Sequence, residues 1–253
     1  MDVEKQEIIK RFDENVRGKK TGKMTTNIGH DGKDGHWLEQ QMGIKANASN
    51  SPDLFGYEMK NDTTSKTTFG DWSADYYIYK NRRNPHGLIS RREFLEIFGK
   101  PNPDKKGRCS WSGEPCPKIN TTNSFGQKLI VDSDNNIRAI YDFSKDIRLN
   151  KSQVVPPDMQ KDNLTLAKWD VASISAKLED KFNQKGWFKC LKDKQGVYVQ
   201  IAFGKQICFE EWIKRVKTGE VFFDSGMFQG NSRNYSQWRA NNSFWDNLIY
   251  ERY

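Results

Sequence analysis

Ser51-Pro52-Asp53-Leu54-Phe55-Gly56-Tyr57-Glu58-Met59-Lys60 places two carboxylates and an amine within one short segment, and the rest of the chain is read outward from it. Pro52 has no backbone N–H to give to a sheet, so it belongs at or just before the first residue of a strand. Asp53 is then expected at the strand's mouth. Along an extended Leu54 to Lys60, Glu58 and Lys60 are two apart and share one face, while Tyr57 and Met59 take the other. Two carboxylates in one site can hold Mg²⁺, a hard cation that prefers oxygen ligands and completes its shell with water and phosphate. A lysine beside them can orient an attacking water or offset charge developing on a phosphate. Taken alone, the same spacing also describes the solvent face of a half-exposed strand, so context decides.

The context is a basic chain. The 253 residues carry a formal charge of +8, with a pI near 9.2 and a mean hydropathy of −0.89. Such a balance suits a protein that meets a polyanion, although many basic proteins never touch nucleic acid. The length suits one compact unit with two lobes. The N-terminal MDVEKQEIIKRFDENVRGKK interleaves charges with single apolar residues and lacks the apolar run of a signal peptide. No stretch approaches the roughly 18 apolar residues of a membrane span, so a soluble, cytoplasmic protein is expected. Cys109, Cys116, Cys190 and Cys208 are too scattered for a disulfide framework, and Cys109 and Cys116 flank a poor zinc spacing. Gly18-Lys19-Lys20-Thr21-Gly22-Lys23 lacks the glycine spacing and terminal Ser or Thr of a P-loop, which excludes an ATPase of that type. His30, His36 and His86 have no second histidine and carboxylate at ligand spacing, and no supported Ser/His/Asp set is visible.

Mixed helices and strands follow from the periodicities. Ile8, Ile9, Phe12 and Val16 mark an amphipathic first helix, and Trp37, Leu38 and Met42 a short one closing near Gly43, with Glu39 on it. Trp72 to Lys80 reads as an aromatic strand. Ser90-Arg91-Arg92-Glu93 fits a capping box opening a helix that stops at Gly99. Pro101 to Ser124 reads as a surface excursion, Gln127 to Phe143 as a hairpin turning at Ser133-Asp134-Asn135-Asn136, and Leu149 to Leu164 as an inter-lobe connection. Later strands are expected at Trp187 to Leu191, Val197 to Phe203 and Val221 to Asp224, with helices around Leu178 and Trp212. The pattern implies an α/β or α+β fold, a mixed central sheet flanked by helices.

Glu39 stands fourteen residues before Asp53. Gly35-His36-Trp37-Leu38-Glu39-Gln40-Gln41-Met42-Gly43, then Ser51-Pro52-Asp53 and Tyr57-Glu58-Met59-Lys60, resemble the active-site region of the MutH-like restriction endonucleases of the MvaI and BcnI kind, within the PD-(D/E)xK nucleases. In that family a helix glutamate, an aspartate and an E-x-K strand form the site, and they fall here on Glu39, Asp53, Glu58 and Lys60. Arg91-Arg92 with its Phe-rich helix, the hairpin, and a glycine-rich C-terminal loop ending in Arg239 follow in the same order.

The resemblance implies a restriction-endonuclease-like fold over residues 1–253, with two lobes around a DNA cleft. The catalytic core would span about 30–80 and the DNA-recognition segment about 221–245. It also implies a Mg²⁺-dependent type II restriction endonuclease that cleaves double-stranded DNA as a monomer, leaves 5′-phosphate ends, and is accompanied by a cognate DNA methyltransferase. Asp53, Glu58 and Glu39 would hold the metal. Lys60 is expected as a charged positioner, because neighbouring carboxylates favour its protonated form. Arginine pairs bidentately with guanine and Gln or Asn with adenine, so Arg233, Gln237 and Arg239 suit base reading, with Arg91, Arg92, Lys33 and His36 as further DNA contacts. The loop lacks the histidines expected of MvaI and BcnI, which leaves the target sequence open. Two other classes fit the residues: a strand-nicking mismatch-repair endonuclease, and a DNA-binding protein without catalysis.

Overall fold

The computed structural model describes residues 2–21, 33–45, 49–81 and 84–253. The chain divides into two compact units, one made of Met1–Thr67, Ala176–Phe209 and Asn241–Tyr253, the other of Thr68–Ser175 and Glu210–Ala240. Both are mixed α+β, as the sequence implies. Among the described residues no helix is long and apolar enough to cross a membrane.

The first unit is built on a four-stranded sheet ordered Glu58–Asn61, Trp187–Lys192, Tyr198–Gly204, Ile249–Arg252. The first pair is parallel and the next two are antiparallel. Strand alternation sends Tyr57, Met59, Phe188, Cys190, Ile201 and Phe203 to one core, where Ile8, Phe12 and Leu38 of two helices, with Met42 in the turn after the second, cover them. The first of these helices, Val3–Asn15, starts on an Asp2 side-chain cap. The opposite face of the sheet carries Glu58 and Lys60 beside Trp187 and Lys189. All four are buried.

The second unit holds an antiparallel sheet of Tyr76–Tyr77, Leu164–Trp169, Ile137–Asp146 and Phe125–Val131. The expected hairpin turns where Asp132 Oδ1 accepts from the backbone N–H groups of Asp134 and Asn136. Trp111, Trp169, Trp212, Trp238 and Phe223 form its aromatic core, with neighbouring ring centroids 5.0–5.6 Å apart. Helix Arg91–Phe98 has both halves of the expected capping box, Ser90 with Glu93.

Three expectations fail here for tertiary reasons. Trp72 to Lys80 is not one strand. Only Tyr76–Tyr77 lies in the ladder, and the Asn84 side-chain amide donates to the Tyr77 carbonyl at 2.8 Å. Pro101 to Ser124 is no surface excursion. Arg108–Trp111 pairs with Lys100–Asn102 and with the distant Met227–Phe228, and Trp111 is fully buried, its indole N–H donating to Gln127 at 2.6 Å. Leu149 to Leu164 does not join the units but belongs to the second, anchored by buried Val155 and Met159.

Candidate active site

The strand of the E-x-K motif begins at Glu58 rather than at Leu54. Before it the backbone reverses. Leu54 and Tyr57 exchange N–H···O bonds of 3.0 and 2.9 Å, and the central residues Phe55 and Gly56 have φ of 52° and 82°. Two consecutive positive φ values are the hairpin turn whose twist matches that of strands, and glycine occupies the second position without steric cost. Phe55 takes the other left-handed position with its ring under the Arg11 guanidinium, 5.1 Å from the centroid. The turn folds Asp53 back so that its Oδ2 accepts from the Met59 backbone N–H at 2.9 Å. Glu58–Asn61 is an edge strand, so the carboxylate satisfies an N–H that no neighbouring strand reaches.

Glu58 is 3 % exposed. Its Oε1 accepts from Lys60 Nζ at 2.8 Å and lies 3.1 Å from Lys181 Nζ, on the last turn of helix Val171–Phe182. Its Oε2 is buried without a hydrogen-bond partner among the described residues. A buried anionic oxygen left so is costly, and a hard cation satisfies it. The Lys60 ammonium lies 5.0 Å from the Phe182 ring centroid and 5.8 Å from that of Trp245. Across the parallel ladder from Lys60 stands Lys189, buried and paired with Asp62 at 3.0 Å.

Burial sets the protonation balance. It pushes the Glu58 carboxyl above its usual 4.5, against the attraction of Lys60 and Lys181 and with some help from Asp53. It pushes the Lys60 amine below 10.5 despite Glu58, and the like charge of Lys181 adds to the fall. Desolvation of the buried Lys60 amine therefore acts against the charged form that the neighbouring carboxylates favour. Between the lowered folded value and 10.5 the unfolded chain binds a proton that the folded chain has lost. Stability of the metal-free protein is thus expected to rise with pH through that window. Lys60→Met should flatten the rise, as read from thermal unfolding in chelator against wild type. An unchanged slope would show that Lys60 titrates normally.

Glu39 sits on helix Lys33–Gln41, partly exposed, with Oε2 3.6 Å from His36 Nδ1. Among the described residues no three of His, Cys, Asp and Glu converge on one ion position, so the structure assembles Asp53 with Glu58 and leaves Glu39 beside His36. His36 is exposed, 3.3 Å from Gln40. The Lys33 side chain, His30 and the basic loop from Gly22 lie outside the described residues.

In the second unit Gln237 and Arg239 are not on a loop. They stand two apart on strand Ser236–Asn241, opposite Asp224 and Phe222, with an Arg239 guanidinium nitrogen 3.3 Å from Asp224 and a bond from Arg239 to Gln237. Arg233 is 66 % exposed, paired with Asp71 at 2.8 Å. Arg92 is exposed and bonds Glu96 one turn away, whereas the Arg91 guanidinium turns inward onto residues 228–234. Lys181 and Lys189 carried no signal in the sequence, because their places beside the motif depend on strand order and helix docking over more than a hundred residues, whereas Asp62, two residues past Lys60, gains its role only through Lys189.

Comparison with known proteins shows the family. The family model described as LlaMI restriction endonuclease matches residues 16–253. A curated relative, type II restriction enzyme ScrFI of Lactococcus lactis subsp. cremoris, is 48 % identical over 266 residues, covering 98 % of both chains. Among solved structures, restriction endonuclease MvaI in complex with its cognate DNA substrate matches with a TM-score of 0.60 at 15 % identity, covering 98 % of this chain and 95 % of that one, a likeness of fold. MvaI in the absence of DNA matches with a TM-score of 0.44 at 14 % identity, covering 100 % and 98 %. The chain belongs to the LlaMI restriction endonuclease family and is a type II restriction endonuclease.

Proposed function

We propose that the first unit cuts both strands of double-stranded DNA through Asp53, Glu58 and Lys60, and that the second reads the target. The observation that carries the cutting half is Glu58, whose one oxygen is held by two lysines while the other is buried without a hydrogen-bond partner among the described residues. Restriction endonucleases of this type use a divalent metal, and Mg²⁺ is the ion proposed, because the two carboxylates offer oxygen donors and no thiolate or imidazole. Asp53 and Glu58 would hold it, with Glu39 proposed as a further ligand. When bound, it would supply positive charge to the phosphate oxygens and an acidified water.

The chain's own groups do the rest. Lys60 holds the attacking water, and an amine whose pKa burial has lowered can accept the proton that a fully basic lysine would refuse. The water gives its proton to the Lys60 amine as its oxygen bonds to phosphorus, the P–O3′ bond breaks, and the departing 3′ oxygen takes a proton from solvent water, giving 5′-phosphate and 3′-hydroxyl ends. The aromatic rings of Phe182 and Trp245 exclude bulk water from the amine. In the second unit Arg233, Gln237 and Arg239 are proposed to offer donors and acceptors to base edges and Arg92 to contact phosphate, and in the first unit His36 and Lys33 are proposed as phosphate contacts. The working form is proposed as a monomer in a bacterial cell whose own DNA a partner methyltransferase protects.

Incubated with unmethylated plasmid and Mg²⁺, the purified protein is expected to give linear DNA whose sequenced ends share one recurring site, and no products in chelator. Nicked circles alone would identify a strand-nicking enzyme, and salt-sensitive binding without any cleavage a non-catalytic one. Either would overturn the proposal.

A further inference from the structure

Helix Arg91–Phe98 lies beside the segment after strand Met227–Phe228, and the Arg91 side chain enters that segment. A guanidinium has five N–H donors in a fixed planar fork. Here all five have acceptors. One Nη1 bond goes to the Asn231 carbonyl at 2.7 Å and a longer one to the Phe228 carbonyl at 3.4 Å. Nη2 donates to the Asn231 side-chain oxygen and to the Arg233 carbonyl, both at 2.9 Å. Nε donates to the Asn234 side-chain oxygen at 3.3 Å.

The same segment is tied elsewhere. Gln229 exchanges bonds with the backbone of Cys109, and Tyr79 donates to Asn234 at 2.9 Å. Yet among the described residues only Arg91 reaches four of its residues at once, and one of its donors ends on the residue whose exposed guanidinium is the proposed reader, Arg233. An arginine engaged in this way has no donor left for a phosphate. Two neighbours in sequence, Arg91 and Arg92, therefore have different chemistry: one engaged inside the protein, the other exposed.

We propose that Arg91 is a positioning residue for target recognition, which holds residues 228–234 in the shape that presents Arg233 to base edges and makes no contact with DNA itself. This rests on the reading of the second unit as the DNA-reading part. The physical reason is pre-organisation: a loop already fixed in its binding shape loses less conformational entropy on contact, and misplaced donors lose their bidentate geometry on the base.

The test uses the full chain in Ca²⁺ in place of Mg²⁺, so that binding can be measured without cleavage. Titration uses a duplex bearing the target found in the plasmid experiment and one with a single base pair changed, over a series of salt concentrations. Arg91→Ala is expected to reduce the preference for the target by about tenfold or more, the scale of one bidentate base contact. The slope of log affinity against log salt should stay that of wild type. Arg91→Lys should fail to rescue, since a point charge with three donors does not replace the fork. Asn231→Ala, which removes one of the acceptors from the loop side, the side-chain oxygen, should lose preference in the same direction. Hydrogen exchange should speed up at residues 228–234 in both alanine variants and not in the four-stranded sheet.

A salt slope lowered by about one, with target and altered duplex weakened equally, would make Arg91 a phosphate contact and overturn the proposal. Unchanged target preference in Arg91→Ala would overturn it, and so would unchanged exchange in the segment even with the preference lost. Absence of any sequence preference in the wild-type protein would instead remove the reading of the second unit, and this inference with it.

Discussion

Lys60→Ala is expected to lower the single-turnover rate of DNA cleavage by about a thousandfold or more, the combined scale of a lost proton acceptor and a lost charge at the reacting phosphate. Binding of the target in Ca²⁺ should remain within about tenfold of wild type, because the interaction is made with the reacting atoms and contributes mainly to the transition state. The structure makes the loss large. Lys60 is 8 % exposed, its amine beside the rings of Phe182 and Trp245, so bulk water or buffer would be a poor substitute. Lys181 cannot take over without leaving Glu58, which it touches at 3.1 Å. Asp53→Asn should show a loss of similar order for a different reason: its amide oxygen still accepts from Met59, but the charge that would hold a cation is gone. Full-rate cleavage by either variant would remove the catalytic assignment.

The second large effect is on stability. Trp245→Ala is expected to cost about 3–5 kcal/mol, the range for emptying a buried aromatic site. Trp245 is fully buried, edge-on to Trp187 at 5.1 Å and against Phe182 and Phe244 at 5.9 and 5.6 Å. The midpoint of thermal unfolding should fall by roughly 6–20 °C for a chain of this size. Because the ring also covers Lys60, the variant should lose cleavage at temperatures where it is still folded, as water enters beside the amine. A variant that unfolds early yet cleaves at full rate when folded would show that the ring supports the fold and leaves the amine unaffected. Trp245→Phe, which keeps most of the cover, should fall between the two in both measurements.

Much of the first site was legible in the sequence. Alternation on a strand is a local property of the pleat, so the shared face of Glu58 and Lys60 and the opposite, apolar face of Tyr57 and Met59 needed no tertiary knowledge. The capping box at Ser90 and the turn at Asp132 to Asn136 were equally local, since side chains three or four residues away decide them. Where competing partners came from afar, the reading failed. Trp72 to Lys80 had the composition of a strand, but an asparagine side chain took one of its carbonyls. Arg108–Trp111 lacked any sign of a strand until Met227–Phe228 paired with it.

Sequence alone determined that an Asp, a Glu and a Lys stand within eight residues and that the last two face the same way, because peptide geometry leaves a strand no other choice. Tertiary structure decided what those groups are. A turn at Phe55-Gly56 rather than an extended strand brings Asp53 to the Met59 amide. A helix docked on the sheet carries Lys181 to the oxygen that Lys60 also holds. Burial under Phe182 and Trp245 reverses the expected effect on the Lys60 amine, since desolvation acts on a group according to what surrounds it in space. Spacing counts charges along the chain, whereas the cost of placing them depends on the solvent that folding removes.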